Sequence, residues 1–299
     1  MVSIRVVFGS SENMKEVPSS SIHLVVTSPP YYNAPFDFPN LFSSYDEFLK
    51  LLRGVGKELL RVLQPGRYAC FVTQDVRIEG RLYPIVANLI HVMVYEVGFE
   101  YQEKIVWRKP EGYIRISRRS GVLVQHPYPM YYYPDNIYEE IVVFKKPGEF
   151  DRASVPEHVK EKSRIDVGRF QVEKWYLSVW DIKNVLPIEK WSKYTAAFPE
   201  ELVERLLKLY SYWGETVLDP FLGTGTTCAV AKRLGRNCVG YEIDLELMDV
   251  VKERLGVGIK TLVQTDNIEI IVREDAKRLR TALRKEIEEK LRNKNRSSS

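Results

Sequence analysis

Thr27-Ser28-Pro29-Pro30-Tyr31-Tyr32-Asn33 places a hydroxyl, rigid proline carbonyls and flat aromatic rings side by side. Taken singly, Pro-Pro stops a strand and Tyr-Tyr packs a core. Together they suit one chemistry. An amino group attached to an aromatic base is a poor nucleophile, because its lone pair is delocalised into the ring. Two acceptors that bind its two N–H protons favour a more tetrahedral nitrogen, and they stabilise the positive charge that develops as it takes up a methyl group. The Ser28 hydroxyl and the Pro29 carbonyl can supply both. Proline fixes the local backbone and so pre-orients that carbonyl. Tyr31 offers a face on which a base can stack. A base in a duplex must first be extruded to reach such a pocket.

A second stretch has the form of a ligand-binding turn. Val217-Leu218-Asp219-Pro220-Phe221-Leu222-Gly223-Thr224-Gly225-Thr226-Thr227 reads as a strand, a glycine turn and a helix start. Glycines let the backbone approach a ligand, and a helix N-terminus offers unpaired N–H groups. A GxG alone is weak, and a tight turn with no ligand has the same form. A dinucleotide site asks for GxGxxG, and Cys228 stands at the third glycine position. Asp219 at the strand end suits a cationic amino group better than a pyrophosphate. Glu242, in Gly240-Tyr241-Glu242-Ile243-Asp244, falls where an acid accepts hydrogen bonds from ribose hydroxyls. Asp275 can accept a bond from an adenine amino group, or serve as the N-cap of the last helix. Both readings stay open.

A (D/N/S)-PP-(Y/F) turn followed downstream by DPFxGxGTT resembles the amino-methyltransferases of nucleic acids. The order, catalytic motif first and cofactor motif later, resembles the beta class of DNA methyltransferases. The likeness runs over most of residues 1–147 and 195–280. The strings around Gln64-Pro65-Gly66, Thr73-Gln74-Asp75, Val106-Trp107-Arg108 and Val142-Val143-Phe144 are similar to its intermediate motifs, and Ala197-Phe198-Pro199-Glu200 to the motif that precedes the glycine turn. The resemblance implies a Rossmann-like α/β sheet with helices on both faces, a circularly permuted motif order, and S-adenosylmethionine as cofactor. It implies Ser28, Pro29, Pro30 and Tyr31 as the catalytic turn. Phe198 then lines the cofactor pocket with Pro220, Phe221, Gly223, Thr224, Gly225 and Thr226, while Asp219 faces the methionine moiety, Glu242 the ribose and Asp275 the adenine.

Serine at the first motif position is similar to the cytosine-N4 enzymes, whereas Asp or Asn is the usual adenine-N6 form. The leading expectation is therefore a DNA cytosine-N4 methyltransferase. An RNA cytidine-N4 enzyme comes next, such as one acting on ribosomal RNA, and an adenine-N6 enzyme third. A binding protein on an inactivated scaffold is disfavoured by the intact turns. Carbon-5 methylation needs a nucleophilic cysteine, and none of Cys70, Cys228 and Cys238 sits in a Pro-Cys turn. Residues 108–138 interleave Arg108, Lys109, Arg115, Arg118 and Arg119 with Tyr113 and further tyrosines. That pattern suits phosphate contact with base stacking. It equally describes solvated arginines beside core tyrosines.

The elements that must position these groups follow from periodicity. Residues 22–27 form a buried strand ended by the prolines. Ser44 and Glu47 make a capping box for a helix with Phe48, Leu51, Leu52, Val55, Leu59 and Leu63 on one face. Pro65-Gly66 turns the chain into a strand at 67–73. A helix at 84–97 and strands at 101–107 and 140–145 follow. A helix from Pro199, strands at 216–219, 238–242 and 268–272, and a helix between them complete the second half. A charged amphipathic helix is expected from Asp275. We read residues 1–147 as the catalytic half with a basic aromatic insertion at 108–138. Residues 148–194 are a linker or small recognition insert anchored by Trp175, Trp180 and Trp191. Residues 195–292 are the cofactor half of the same domain, and 293–299 a disordered tail.

Composition sets the outer bounds. The chain has 299 residues, 44% hydrophobic and 28% charged, with net charge +4, which permits a polyanionic partner without demanding one. No apolar run approaches the roughly 18 residues of a membrane span, and no secretory signal is expected. Three widely spaced cysteines suggest neither a zinc site nor a disulfide, so a reducing, cytoplasmic setting is expected. A homodimer is left open.

Overall fold

The computed structural model describes residues 1–34, 41–110, 125–132, 134, 136–185, 198–258, 266–279 and 281. The apolar runs form β1 (Ser3–Phe8), β2 (Ile22–Thr27), β3 (Leu63–Thr73), β6 (Glu100–Arg108), β7 (Tyr138–Lys145), β8 (Val179–Asp181), β9 (Thr216–Asp219), β10 (Asn237–Glu242) and β11 (Asn267–Val272). They lie in one sheet of order β11-β1-β10-β9-β2-β3-β7-β6-β8. The block from β11 to β3 is parallel, and β7 runs antiparallel to both β3 and β6. A small hairpin of β4 (Val76–Ile78) and β5 (Arg81–Tyr83) stands apart.

Side chains alternate between two cores, as the period of a strand requires. On one face Val7, Val25, Phe71 and Phe144 pack against α1 (Tyr45–Val62) and α2 (Ile85–His91). On the other, Val6, Val26, Cys70 and Val143 meet α5 (Glu200–Tyr210), α6 (Thr226–Arg233) and α7 (Met248–Leu255). This is the Rossmann-like arrangement expected. Burial on both faces explains why the central strands read as unbroken apolar runs. Among the described residues no helix is long and apolar enough to cross a membrane.

Helix α1 begins at the expected cap: the Glu47 N–H donates to Ser44 Oγ at 3.2 Å. The Glu47 carboxylate reaches back one residue further than a capping box does, accepting from the Ser43 N–H at 2.7 Å.

Four local expectations change. Strand β1, which the periodicity above does not mark, joins the sheet between β11 and β10. Pro65-Gly66 does not separate α1 from β3; it forms a register shift inside β3, with Gly66 at φ +73°. The helix at 84–97 is α2 followed by a π-helical turn, Val92–Val97, that stops at left-handed Gly98. Asp275 does not open a helix directly, because Lys277 forms a parallel bridge with Asp244. Most of the expected tail helix and residues 293–299 lie outside the described residues.

Between β7 and α5 the chain forms α3 (Glu157–Lys162), α4 (Val167–Val172) and β8, which pairs with β6. Trp175 and Trp180 are buried there, and the Trp107 indole N–H donates to the Ile182 carbonyl at 2.8 Å. Trp191 lies outside the described residues.

The cysteine expectation is overturned. Cys228 and Cys238 form a disulfide, and Cys70 is free and buried. Helix α6 folds back over the sheet, so its third residue meets the second residue of β10. A separation of 10 positions is closed by a helix and a turn, which spacing alone does not reveal. Intracellular disulfides are rare outside heat-adapted proteins.

Candidate active site

The parallel strands β1, β2, β9, β10 and β11 all end at one edge of the sheet, the edge where open α/β sheets bind ligands. Strands β2 and β9 are direct neighbours, with Val25 opposite Leu218. The turn after Thr27 and the turn after Asp219 therefore leave the sheet together. The Thr27 hydroxyl donates to Asp219 Oδ1 at 2.7 Å, and the Thr227 hydroxyl to Oδ2 at 2.6 Å. The Phe221 N–H adds a third bond, to Oδ1, at 3.1 Å. Asp219 is fully buried. Loss of hydration pushes its carboxyl up to about 6, and these hydrogen bonds oppose that rise.

In the glycine turn Gly223 and Gly225 take left-handed φ of +56° and +88°, which side chains resist. The Gly223 N–H donates to Glu242 Oε2 at 2.7 Å, and the Asp244 N–H to Oε1 at 2.8 Å. The acid at the end of β10 is thereby fixed against the turn from β9. Strand β1 contributes next to it. The Gly9 N–H donates to the Glu242 carbonyl at 2.8 Å. A Cβ at Gly9 would sit 2.7 Å from Asp275 Oδ1, so only glycine admits Asp275 at its observed place. Asp275 Oδ2 accepts from the Ser10 N–H at 3.1 Å and from Arg273 at 3.0 Å, while Oδ1 is buried with no partner.

A cleft of about 480 Å³ opens between these ends, within the range typical of small-molecule sites. It gathers Ser28, Pro29, Pro30 and Tyr31 from the first turn, Pro220, Phe221 and Gly223 from the second, and Glu242 and Asp275. Ser28 is half-buried there. Tyr31 is only 4% exposed, and its hydroxyl donates to Glu139 Oε2 at 2.7 Å. Tyr32 packs instead among Tyr45, Phe48 and Tyr83. The two tyrosines thus divide between cleft wall and core. The Asn33 side-chain amide bonds both the N–H and the carbonyl of Phe42.

Other expected residues fall elsewhere. Asp219, Thr224, Gly225 and Thr226 do not line the cleft. Thr224 Oγ1 accepts from Arg254 at 3.0 Å. Phe198 lies in the core beneath α5. Arg108 is exposed and paired through two bonds with Asp181, and Lys109 is paired with Glu139 at 2.5 Å. Tyr113, Arg115, Arg118 and Arg119 lie outside the described residues. The sequence reading missed Gly9, Ser10 and Glu12, which line the cleft, and Glu139 behind it. A strand ending in Gly9-Ser10 was a legible signal for the first three. Nothing local marks Glu139.

The orphaned Asp275 oxygen fits a ligand N–H, and left-handed Gly223 brings bare backbone to the cleft beside Glu242. Fold and site together define an S-adenosylmethionine-dependent methyltransferase. The chain belongs to the N6/N4 DNA methylase family, whose model matches residues 22–253. Type II methyltransferase M.MjaI of Methanocaldococcus jannaschii is 32% identical over 90% of this chain and 96% of its own. Type II methyltransferase M.MthZI of Methanothermobacter thermautotrophicus is also 32% identical, over 86% of this chain and 77% of its own. TTHA0409 of Thermus thermophilus, solved in complex with S-adenosyl-L-methionine, superposes with a TM-score of 0.68 at 29% identity, covering 89% of this chain and 99% of that one. The cytosine-N4-specific PvuII DNA methyltransferase superposes with a TM-score of 0.63 at 18% identity, over 88% of this chain and 89% of that one, a likeness of fold. S-adenosylmethionine is the cofactor. The family sets the polymer as DNA, the first of the two that the sequence left open.

Proposed function

We propose that the chain methylates the exocyclic N4 amino group of cytosine in DNA at a specific site. The observation that carries this reading is Ser28, a neutral acceptor on the cleft beside the Pro29 carbonyl. S-adenosylmethionine supplies an electrophilic methyl group. Ser28 Oγ and the Pro29 carbonyl accept hydrogen bonds from the two amino N–H groups, hold the nitrogen lone pair toward the cleft and stabilise its developing charge. Pro30 restricts the residue before it and so holds the Pro29 carbonyl in place. Glu242 takes the ribose hydroxyls, and Asp275 Oδ1 the adenine amino group. Phe221 and Gly223 form the floor between them. DNA contact is assigned to the basic aromatic stretch from 108 to 138, apart from Arg108 and Lys109, which are paired within the protein, and to the insert at 148–194.

Incubation with methyl-labelled S-adenosylmethionine and duplex DNA, followed by digestion to nucleosides and mass spectrometry, tests the proposal. Label in N4-methyldeoxycytidine is the expected result. Label in N6-methyldeoxyadenosine would overturn the choice of base, and an unlabelled product the activity.

A further inference from the structure

We propose that Glu139 is a positioning residue for the catalytic turn, gripping Tyr31 by its hydroxyl so that the ring forms a rigid wall for the extruded base. The inference rests on the reading of Ser28-Pro29-Pro30-Tyr31 as a base-methylating turn.

The geometry begins with strand order. Tyr31 leaves the end of β2, and Glu139 is the second residue of β7, with β3 between them. Their strands are two inter-strand spacings apart, about 10 Å. The tyrosine side chain therefore reaches across the end of β3 to meet the carboxylate at 2.7 Å. Tyr31 lines the cleft and Glu139 does not. The polar end of the ring is thus held behind the wall that the ring helps to build.

Glu139 is itself held. It is 7% exposed, and its other oxygen accepts from Lys109 Nζ at 2.5 Å. Lys109 follows β6, whose Trp107 is the cross-strand partner of Glu139, and its ammonium lies 4.8 Å from the Trp107 ring centre. A buried carboxylate without such a cation would be costly. With it, the carboxylate is paired on one oxygen and accepts from the tyrosine hydroxyl on the other. Lys109, expected from the sequence to contact phosphate, serves this carboxylate instead.

The consequence is orientation. A base drawn out of a duplex must present its amino nitrogen within a narrow range of positions, and a displacement of about 1 Å costs on the order of 100-fold in rate. A ring tethered only at Cβ can tilt, whereas one bonded also at its far end cannot. Packing alone would be satisfied by phenylalanine.

The test uses Tyr31→Phe, Glu139→Gln and the double variant of the full chain, assayed by methyl transfer to DNA. Each single variant is expected to lower kcat on the order of 10–100-fold, with cofactor Kd and KM for DNA within about threefold of the parent. The double variant is expected to be no worse than the more damaged single one, because both break the same bond. An activity-independent reading comes from NMR of protein labelled with 13C at tyrosine Cζ. The Tyr31 resonance, assigned by its loss in Tyr31→Phe, should shift in Glu139→Gln. Parent-like kcat in either single variant, multiplicative losses in the double variant, or an unshifted resonance would overturn the proposal. Should Glu139→Gln lower Tm by stranding Lys109, Tyr31→Phe strands no charge and decides the kinetic arm. A parent protein that methylates no DNA would instead sink the functional reading, and the NMR arm would still test the bond.

Discussion

The Thr27 hydroxyl donates a 2.7 Å hydrogen bond to Asp219 Oδ1, joining residues 192 positions apart. Thr27 is the last residue before Ser28, and Asp219 the last before Pro220. The bond fastens the turn at Ser28-Pro29-Pro30-Tyr31 to the turn at Pro220–Gly225, the two turns proposed to hold the target amine and the cofactor. Their relative placement is thereby a property of the folded sheet and not of either loop.

Asp219 also gives stability a dependence on pH. Its folded carboxyl lies at about 6 against an ordinary 3.8, mainly through burial. The native state therefore binds its proton more tightly than the unfolded chain does. The resulting stabilisation is fully present below pH 3.8 and is lost as pH rises through about 6. Relative to Asp219→Asn, which does not titrate, the parent should lose about 3 kcal/mol between acid and neutral pH. Urea unfolding of both proteins across that window measures the difference, and a flat profile would contradict it.

Ser28→Ala removes one of the two acceptors for the amine. Turnover should fall roughly 10–1,000-fold, as loss of a transition-state hydrogen bond does. Cofactor binding, measured by calorimetry, should stay nearly intact. A parallel loss of cofactor affinity would assign Ser28 to the cofactor and not to the base.

Asp275→Ala should act in the opposite way. Its buried Oδ1 has no protein partner, and a hydrogen bond to a charged acceptor contributes about 1.5–3 kcal/mol. The Kd for S-adenosylmethionine should rise about 10–100-fold, with most of the turnover recovered at saturating cofactor. An unchanged Kd would remove Asp275 from the cofactor site.

The Cys228–Cys238 disulfide closes a short loop between α6 and β10. Chain-entropy arguments give it about 2–3 kcal/mol of stability. Cys238→Ser should lower the free energy of unfolding by that amount, and added reductant should do the same to the parent. Alkylation of the unfolded, unreduced protein should label Cys70 alone; three labelled thiols would show that the bond does not form.

What could be read in advance was local. The prolines end β2 at Thr27, Ser44 caps α1, and Gly223 and Gly225 make the turn into α6, because each signal reports a backbone preference spanning a few residues. The paired motifs carried the fold class and the chemistry with them. Strand β1 escaped because its six residues lie outside both motifs, although Gly9-Ser10 marks their end. The shift inside β3 escaped because Pro65-Gly66 has the same local form whether it ends an element or bulges within one.

The sequence by itself determined the two turns, the strands that precede them and the amine-methylating chemistry they suit. The tertiary structure alone decided that β2 and β9 lie side by side, that Asp219 is spent on Thr27 and Thr227, and that Gly9 admits Asp275. It also decided that Glu139 holds Tyr31 and that Cys228 meets Cys238. The reason is physical. A backbone preference is encoded where it acts, whereas a contact between distant residues depends on strand order and on which face each side chain takes. Both are settled only when the whole sheet buries its two cores.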